Sequence, residues 1–491
     1  MCSCTFLVVF LSGIIISLLL KYVLVSLKGA DKHASDKEAL DLAVCIISAR
    51  HNFEQRQAIR ETWLLDLPKI TSKNVKAFFV VGDTACDIPP LDRLDPHTCE
   101  EWTPEVPEKS DIAAFSLQKI NTEEVYSQPA IRRLAISVLH PVTVKRLGIR
   151  RSFTGPVSVT LWDGVTDEEL VSVVFNRMDP GIDYQGYRYQ PIQPILLPKG
   201  FHGELATNLT ETEDHSFTSQ DNQWYQETGN YGRALSVQGM KEDRTFTDLT
   251  RTADSLLSFM FSVEDISDLQ NHILSRKQRQ AQWGEHLKME SDRLLQEVRE
   301  HADVMFVNVT DVYRHLPHKL LSCHHWLHAH ADARFVLKTD DDCFVDLVKV
   351  TNDLHRLTSV QKLWWGQFRD EWLVERHGKW REMVFPSSTY PRFACGSGNI
   401  VSRDVHTWIA ASSGQLHPYQ GEDVSLGMWL AAIGPHYEQA SAWQCAKQCE
   451  KGSYVLPELS VDEIRTYWDR KQQCGDPCGM CHSGAKQTTL D

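Results

Sequence analysis

Residues 334–346 read RFVLKTDDDCFVD, in which the apolar run Phe335-Val336-Leu337 leads directly into Asp340, Asp341 and Asp342. Three carboxylates at the end of a buried strand repel one another, and each loses hydration. A hard divalent cation, Mn²⁺ or Mg²⁺, offsets that cost, because oxygen ligands suit such ions. A cation held by one or two carboxylates characteristically bridges to the phosphates of a substrate. Acidic runs also cap helices and line loops, so the buried strand ahead of this one is what favours the metal reading.

Other residues offer complementary chemistry. Arg56 and Arg60, four apart in RHNFEQRQAIRETW, share one helix face and could meet a diphosphate. A solvated basic face is the plainer reading of the same pair. In YQGEDVSLGMWLAAIG, Glu422 and Asp423 open an amphipathic helix. Carboxylates in a first turn are ordinary dipole partners, and equally a general base with its neighbour. Gly396 and Gly398 of CGSG let a backbone approach a ligand closely. The aromatic-rich stretch from Trp364 to Phe393 offers faces for sugar rings, or core.

Positioning these groups requires a scaffold. LAVCIISA and VKAFFVVG are continuous apolar runs that read as buried strands. Between them, Asn52 followed by Gln55 reads as a capping box that starts a helix. A buried strand feeding a capped helix opens an α/β sheet, whose ligand crevice lies at the carboxyl ends of the strands. From about residue 100 to 265 the pattern changes to short strand-period pieces such as VSVTLWDG and LVSVVF, an inserted all-β, sandwich-like module. Trp162 and Trp224 within it are candidate sugar platforms, although a Trp in such a module is more often core or rim. Helical periodicity returns after Asp265. His324 and His328 could chelate a metal from one helix face, but no further ligand is spaced to join them, and a mixed surface helix is the favoured reading.

The 491-residue chain is 42% hydrophobic, enough for a packed core. Its formal net charge of −14 speaks against a general nucleic-acid binder, which needs a basic face. Residues 5–27 are apolar enough to span a bilayer and lack a small-residue cleavage pattern, so they read as an uncleaved signal anchor. The lysines alone give the opposite orientation, since Lys21 and Lys28 follow the segment and no basic residue precedes it. The sequons at Asn208 and Asn308 and the 13 cysteines place the body in an oxidising lumen. Asn208 is the better acceptor, because Asn308 sits in an apolar pattern. The C-terminal cluster Cys445, Cys449, Cys474, Cys478 and Cys481 reads as disulfides rather than a zinc site.

Five blocks, RQAIRETW, DVYRHLPHKLL, VLKTDDDCFVD, YPRFACGSGNIVS and GEDVSLGMWLAAIG, come in an order that resembles the β-1,3-glycosyltransferases. That family contains Fringe and the β-1,3-galactosyl- and N-acetylglucosaminyltransferases. The likeness covers roughly 41–98 and 285–445. It implies a GT-A, Rossmann-like α/β domain and an inverting reaction. It makes Asp342 the metal ligand for Mn²⁺ (or Mg²⁺). Asp340, Asp341 and Glu422 would face the donor sugar or its hydroxyls, Arg56 and Arg60 its diphosphate, and Asp423 would be the catalytic base. It further implies UDP-N-acetylgalactosamine (UDP-GalNAc) as donor and a glycoprotein glycan of O-mannosyl type ending in GlcNAc as acceptor. Related galactosyl or N-acetylglucosaminyl transfer is the alternative. The compartment implied is the Golgi or endoplasmic reticulum, with a type II, membrane-anchored chain. The expected organisation is a cytosolic tail over 1–4, the anchor over 5–27, a stem over 28–40, catalytic parts over 41–99 and 266–491, and the β insert over 100–265. One departure stands out. LSVDEIRTYW carries Leu459 where many members have a metal-binding His. From other classes, an acid-cluster metallophosphatase lacks its DxDxT context here, and a lumenal lectin-like protein leaves the aspartates unexplained.

Overall fold

The computed structural model describes residues 37–70, 74–119, 131–151, 156–209, 224–228, 234–240, 246–247, 255–376, 378–382 and 384–479. The expected anchor at 5–27 lies outside the described residues. Among the described residues no helix is long and apolar enough to cross a membrane.

A seven-stranded sheet carries the site. Its strands are β1 (Leu42–Ile47), β2 (Val75–Thr84), β3 (Val304–Thr310), β4 (Phe335–Asp340), β5 (Leu363–Arg369), β6 (Phe393–Ser402) and β7 (His436–Gln439). In space the order is β3-β2-β1-β4-β6-β5-β7. The first four run parallel, and only β6 runs against its neighbours. The helices are α1 (Phe53–Glu61), α2 (Ile266–His301), α3 (Leu316–His330), α4 (Leu347–Leu354), α5 (Arg403–Ser412), α6 (Glu422–Ala431) and α7 (Val461–Cys474).

The unbroken apolar run of β1 follows from coverage on both faces. Successive strand residues point to opposite sides. Leu42, Val44 and Ile46 pack with Ile59 of α1, Val350 of α4 and Ile464 of α7. Ala43, Cys45 and Ile47 pack with Leu327 of α3, Ile409 of α5 and Trp429 of α6. The result is a three-layer α/β/α unit. Burying each large aliphatic side chain contributes roughly 1.5–3 kcal/mol.

Between β2 and α2 the chain builds a two-stranded antiparallel sheet, Phe115–Lys119 with Trp224–Thr228, and two large ones. One has five strands, in the order Ile182–Tyr184, Tyr187–Leu197, Val142–Arg150, Leu257–Val263, Ile112–Ala113. The other has six, in the order Phe246–Thr247, Leu235–Met240, Arg133–Val138, His202–Thr207, Val157–Asp163, Glu169–Phe175. They share a core of their own, with Leu134, Val159, Leu161, Leu205, Tyr189 and Phe259. Helix α2, 36 residues and about 54 Å long, ties this module to the catalytic sheet. Leu269 near its start enters the insert's core, and Leu294 near its end packs on Phe53 and Val81.

Disulfides join Cys86 to Cys99, Cys395 to Cys445, and Cys449 to Cys478. Cys474 is also disulfide-bonded. The bridge at Cys395 fastens β6 to the loop ahead of the C-terminal segment, and Cys449–Cys478 pins the end of α7.

Candidate active site

Strand β4 lies at the sheet centre, so Asp340 and the turn that follows it emerge at the carboxyl end of the parallel strands. Lys338, two residues earlier, shares a strand face with Asp340. Its ammonium is 4% exposed, lies 2.8 Å from Asp340 Oδ1 and 2.7 Å from Glu422 Oε1, and also donates to the Gly396 carbonyl. It therefore joins the aspartate triplet to the first turn of α6. Burial works against its charge, but Asp340 and Glu422 outweigh that and hold it above the usual lysine range.

The carboxylates differ sharply. Burial pushes Asp340 up to about 8; Lys338 opposes this, and the Glu422 and Asp342 charges add to it. Burial would also raise Glu422, but Lys338 wins and holds it below the usual carboxylate range. Asp423, its neighbour, is pushed up to about 6, first by burial and then by the Glu422 charge. Its Oδ1 accepts from the Val424 amide at 2.8 Å. Asp341 is 7% exposed and turns back into the protein, accepting from Asn52 Nδ2 at 3.0 Å. Asp342 is exposed, and its carbonyl accepts from the Leu459 amide at 2.8 Å.

Two glycines make room for this cluster. Gly421, the N-cap of α6, has φ +91°, a conformation L side chains avoid, and a Cβ there would lie 2.9 Å from Asp423 Oδ1. A Cβ on Gly396 would sit 3.3 Å from Glu422 Oε1 and 3.7 Å from Asp423 Oδ2.

The other wall of the cluster is built by the segment after α2. Burial, then the charges of Glu422, Asp423 and Asp340, push the Tyr313 phenol upward. Its hydroxyl accepts from Trp380 Nε1 at 3.0 Å, and the Lys379 ammonium lies 4.4 Å from its ring centre. Next to it, Arg314 clasps Asp95 at 2.9 Å and donates to Gln420 Oε1 at 2.8 Å, fixing the approach to Glu422 and Asp423.

Several expectations need correction. Arg56 is fully buried, and all five guanidinium N–H donors are used, on Glu297, Ser48, Ala49 and Arg50. Arg60 is taken up by Glu297 and Asp303. Arg56 has no donor left for a diphosphate, and Arg60 is held by two carboxylates; together they lock α1 to α2. Asn52 forms no side-chain cap; its Nδ2 donates to Asp341 instead. Asp341 faces Asn52 rather than the crevice. His324 is buried, not on a surface face, and meets His406 through an Nδ1–Nδ1 contact of 2.9 Å. Asn308 is exposed on edge strand β3, as accessible as Asn208. The C-terminal cysteines follow the disulfide expectation: Cys445, Cys449, Cys474 and Cys478 are bridged, and Cys481 lies outside the described residues.

Reading the sequence missed Lys338, Tyr313 and Trp380. A lysine inside the apolar run ahead of the acidic triplet was the available signal for the first. The others had none, since their partners lie far away in the chain.

The donor set suits a divalent cation. One ammonium stands among the carboxylates of Asp340, Asp342, Glu422 and Asp423, so negative charge is in excess, and every candidate ligand is an oxygen. Asp342 is exposed at the turn, position 459 holds a leucine, and among the described residues these carboxylates do not converge as a three-ligand cluster.

Comparison with known proteins agrees with this chemistry. The galactosyltransferase family matches residues 284–441, which include β4, β6 and α6. A UDP-GalNAc:beta-1,3-N-acetylgalactosaminyltransferase 2 of Danio rerio is 36% identical over 471 residues, covering 93% of this chain and 94% of the relative. The Homo sapiens protein of the same name is 34% identical over 89% of each. A beta-1,3-galactosyltransferase 6 of Mus musculus is 34% identical over 28% of this chain and 43% of its own. A fold and site of this kind, shared along such lengths, define a sugar-nucleotide-dependent transferase. The chain belongs to the β-1,3-glycosyltransferase family, glycosyltransferase family 31.

Proposed function

We propose that this β-1,3-glycosyltransferase moves N-acetylgalactosamine from UDP-GalNAc, with inversion, onto the terminal GlcNAc of protein-linked, O-mannosyl-type glycans. The observation that carries the reaction type is the pairing of two carboxylates with opposite environments at one strand end. Lys338 holds Glu422 ionised and engaged, while Asp423 beside it accepts from the Val424 amide through Oδ1 and is pushed up to about 6. Asp423 is therefore the general base. It takes the proton from the acceptor hydroxyl as that oxygen bonds to the anomeric carbon. The bond from that carbon to the UDP oxygen breaks on the opposite face, and the electron pair leaves with the diphosphate. Glu422 and Lys338 fix the floor of the sugar pocket. A divalent cation, Mn²⁺ or Mg²⁺, would be held by Asp342 and would neutralise the departing diphosphate. Asp340, freed of its proton in the presence of that cation, would complete the donor side.

The choice of GalNAc and GlcNAc rests on the near full-length likeness to relatives whose names state UDP-GalNAc and β-1,3 linkage. The order of the sheet and the triplet at its centre support a GT-A arrangement. Exposed Asn208 and Asn308 and the disulfides support a lumenal body behind an N-terminal anchor in the Golgi or endoplasmic reticulum. A screen of UDP-sugars on a GlcNAc-terminated acceptor tests the specificity. GalNAc in β-1,3 linkage is the expected product, and preferential use of UDP-galactose or UDP-GlcNAc would sink that specificity.

A further inference from the structure

The insert has no part in the chemistry above, yet its six-stranded sheet is built with two unlike faces. Val157, Val159 and Leu161 point into the module's core, whereas Ser158, Thr160 and Trp162 alternate onto the outer face. Opposite them, Glu204 pairs with Trp162 and Ala206 with Thr160, so the outward positions continue across the sheet. Together they line a cleft of about 590 Å³, with Arg133, Ser158, Trp162, Glu169, Glu204 and Asn208 in its wall.

We propose that this cleft is a glycan-binding subsite for the acceptor, taking a neutral oligosaccharide on the glycoprotein. Three observations favour that occupant. A half-exposed indole offers a flat apolar face to the C–H side of a sugar ring. Around it stand hydroxyls and carboxylates, the acceptors and donors that sugar hydroxyls require; the Thr160 and Ser172 hydroxyls lie 2.8 Å apart. Asp167, Glu169 and Glu204 outnumber Arg133, which is itself paired with Glu204, so an anionic ligand is disfavoured.

One strand and a run of hydrogen bonds connect the cleft wall to the segment ahead of Glu422 and Asp423. Arg133 in its wall and Ser137 lie on one strand, four residues and about 13 Å apart, on the same face. Ser137 Oγ meets His202 Nδ1 at 3.0 Å and accepts from the Arg381 guanidinium at 3.4 Å. The Arg381 carbonyl accepts from Arg314 at 2.7 Å, and Arg314 holds Gln420, immediately ahead of Gly421 and Glu422. A glycan seated in the cleft would lie on the same strand face as Ser137, which Arg381 ties to the segment carrying Gln420. The subsite rests on the acceptor reading given above and deepens it.

Full-length enzyme and its Trp162→Ala variant should be compared on two acceptors, p-nitrophenyl β-N-acetylglucosaminide and a GlcNAc-terminated O-mannosyl glycopeptide. The expected result is a KM about tenfold higher for the glycopeptide with kcat unchanged, and no change for the monosaccharide. Trp162→Tyr, which keeps a ring, should restore the glycopeptide KM. Glu169→Ala, at an exposed position that folding does not need, should raise it too. An unchanged glycopeptide KM in Trp162→Ala and Glu169→Ala, or equal changes for both acceptors, overturns the proposal. Binding of the glycopeptide without donor, followed by saturation-transfer NMR, decides the cleft even if the donor reading fails. If such binding appears only in Asn208→Gln, the cleft holds the chain's own N-glycan and the proposal is wrong.

Discussion

Asp423 and Glu422 are adjacent in sequence and opposite in role because one ammonium can satisfy only one of them closely. Asp423→Asn should lower transfer by about 10²–10⁴-fold while leaving UDP binding near wild type. A base works deprotonated, and Asp423 is pushed up to about 6. Transfer should therefore be full above that pH and fall as pH drops through it. A profile of kcat/KM against pH checks the sign, and an acid limb that persists unshifted in Asp423→Asn would assign it to another group. At Asp342 the argument concerns the donor. Asp342→Asn removes a charge from an exposed turn without emptying a packed volume, so the fold should survive. UDP affinity should lose its dependence on Mn²⁺, as titration calorimetry with and without the ion would report. Retained dependence in the folded variant refutes the assignment.

Among the elements, α1 and α2 show how a ligand-like motif becomes a structural one. Glu297 is held below the usual carboxylate range despite burial, because the guanidiniums of Arg56 and Arg60 both reach it. Removing Arg56 leaves Glu297 with Arg60 alone, so the cost stays below the about 3–5 kcal/mol of a wholly uncompensated buried charge. Arg56→Met should therefore lower the unfolding transition and leave the donor KM of the folded fraction unchanged. A raised donor KM at normal stability would return Arg56 to the diphosphate. The strand and helix pattern itself was readable in advance. Continuous apolar runs marked β1, β2 and β4, covered on both faces, and alternation marked the strands of the insert. Asn52 was readable as an N-cap by position, but the destination of its side chain was not, because Asp341 lies 289 residues away.

The molecule as a whole has separate cores. Among the described residues one lies within the insert, two flank the seven-stranded sheet, and a small fourth seats the end of α2 on Phe53 and Val81. A ligand stabilises the unit it binds, by about 2.7 kcal/mol at a hundred times its Kd. Calorimetry should thus resolve two transitions, and UDP with Mn²⁺ should raise only the one that belongs to the catalytic sheet. A single transition that moves as a unit would mean that α2 couples the two bodies fully.

Sequence by itself determined what depends on near neighbours. Periodicity fixed which residues face a core, and the ordered motifs, with Asp340–Asp342 at a strand end and Glu422-Asp423 at a helix start, fixed the class of chemistry. Tertiary structure alone decided which charges meet. Lys338 finds Glu422 84 residues on, and Arg56 finds Glu297 across 241. Strand and helix periods repeat over a few residues and carry no record of the partner. The partner is set by which strands lie side by side, and the low dielectric there makes an unpaired charge too costly to leave.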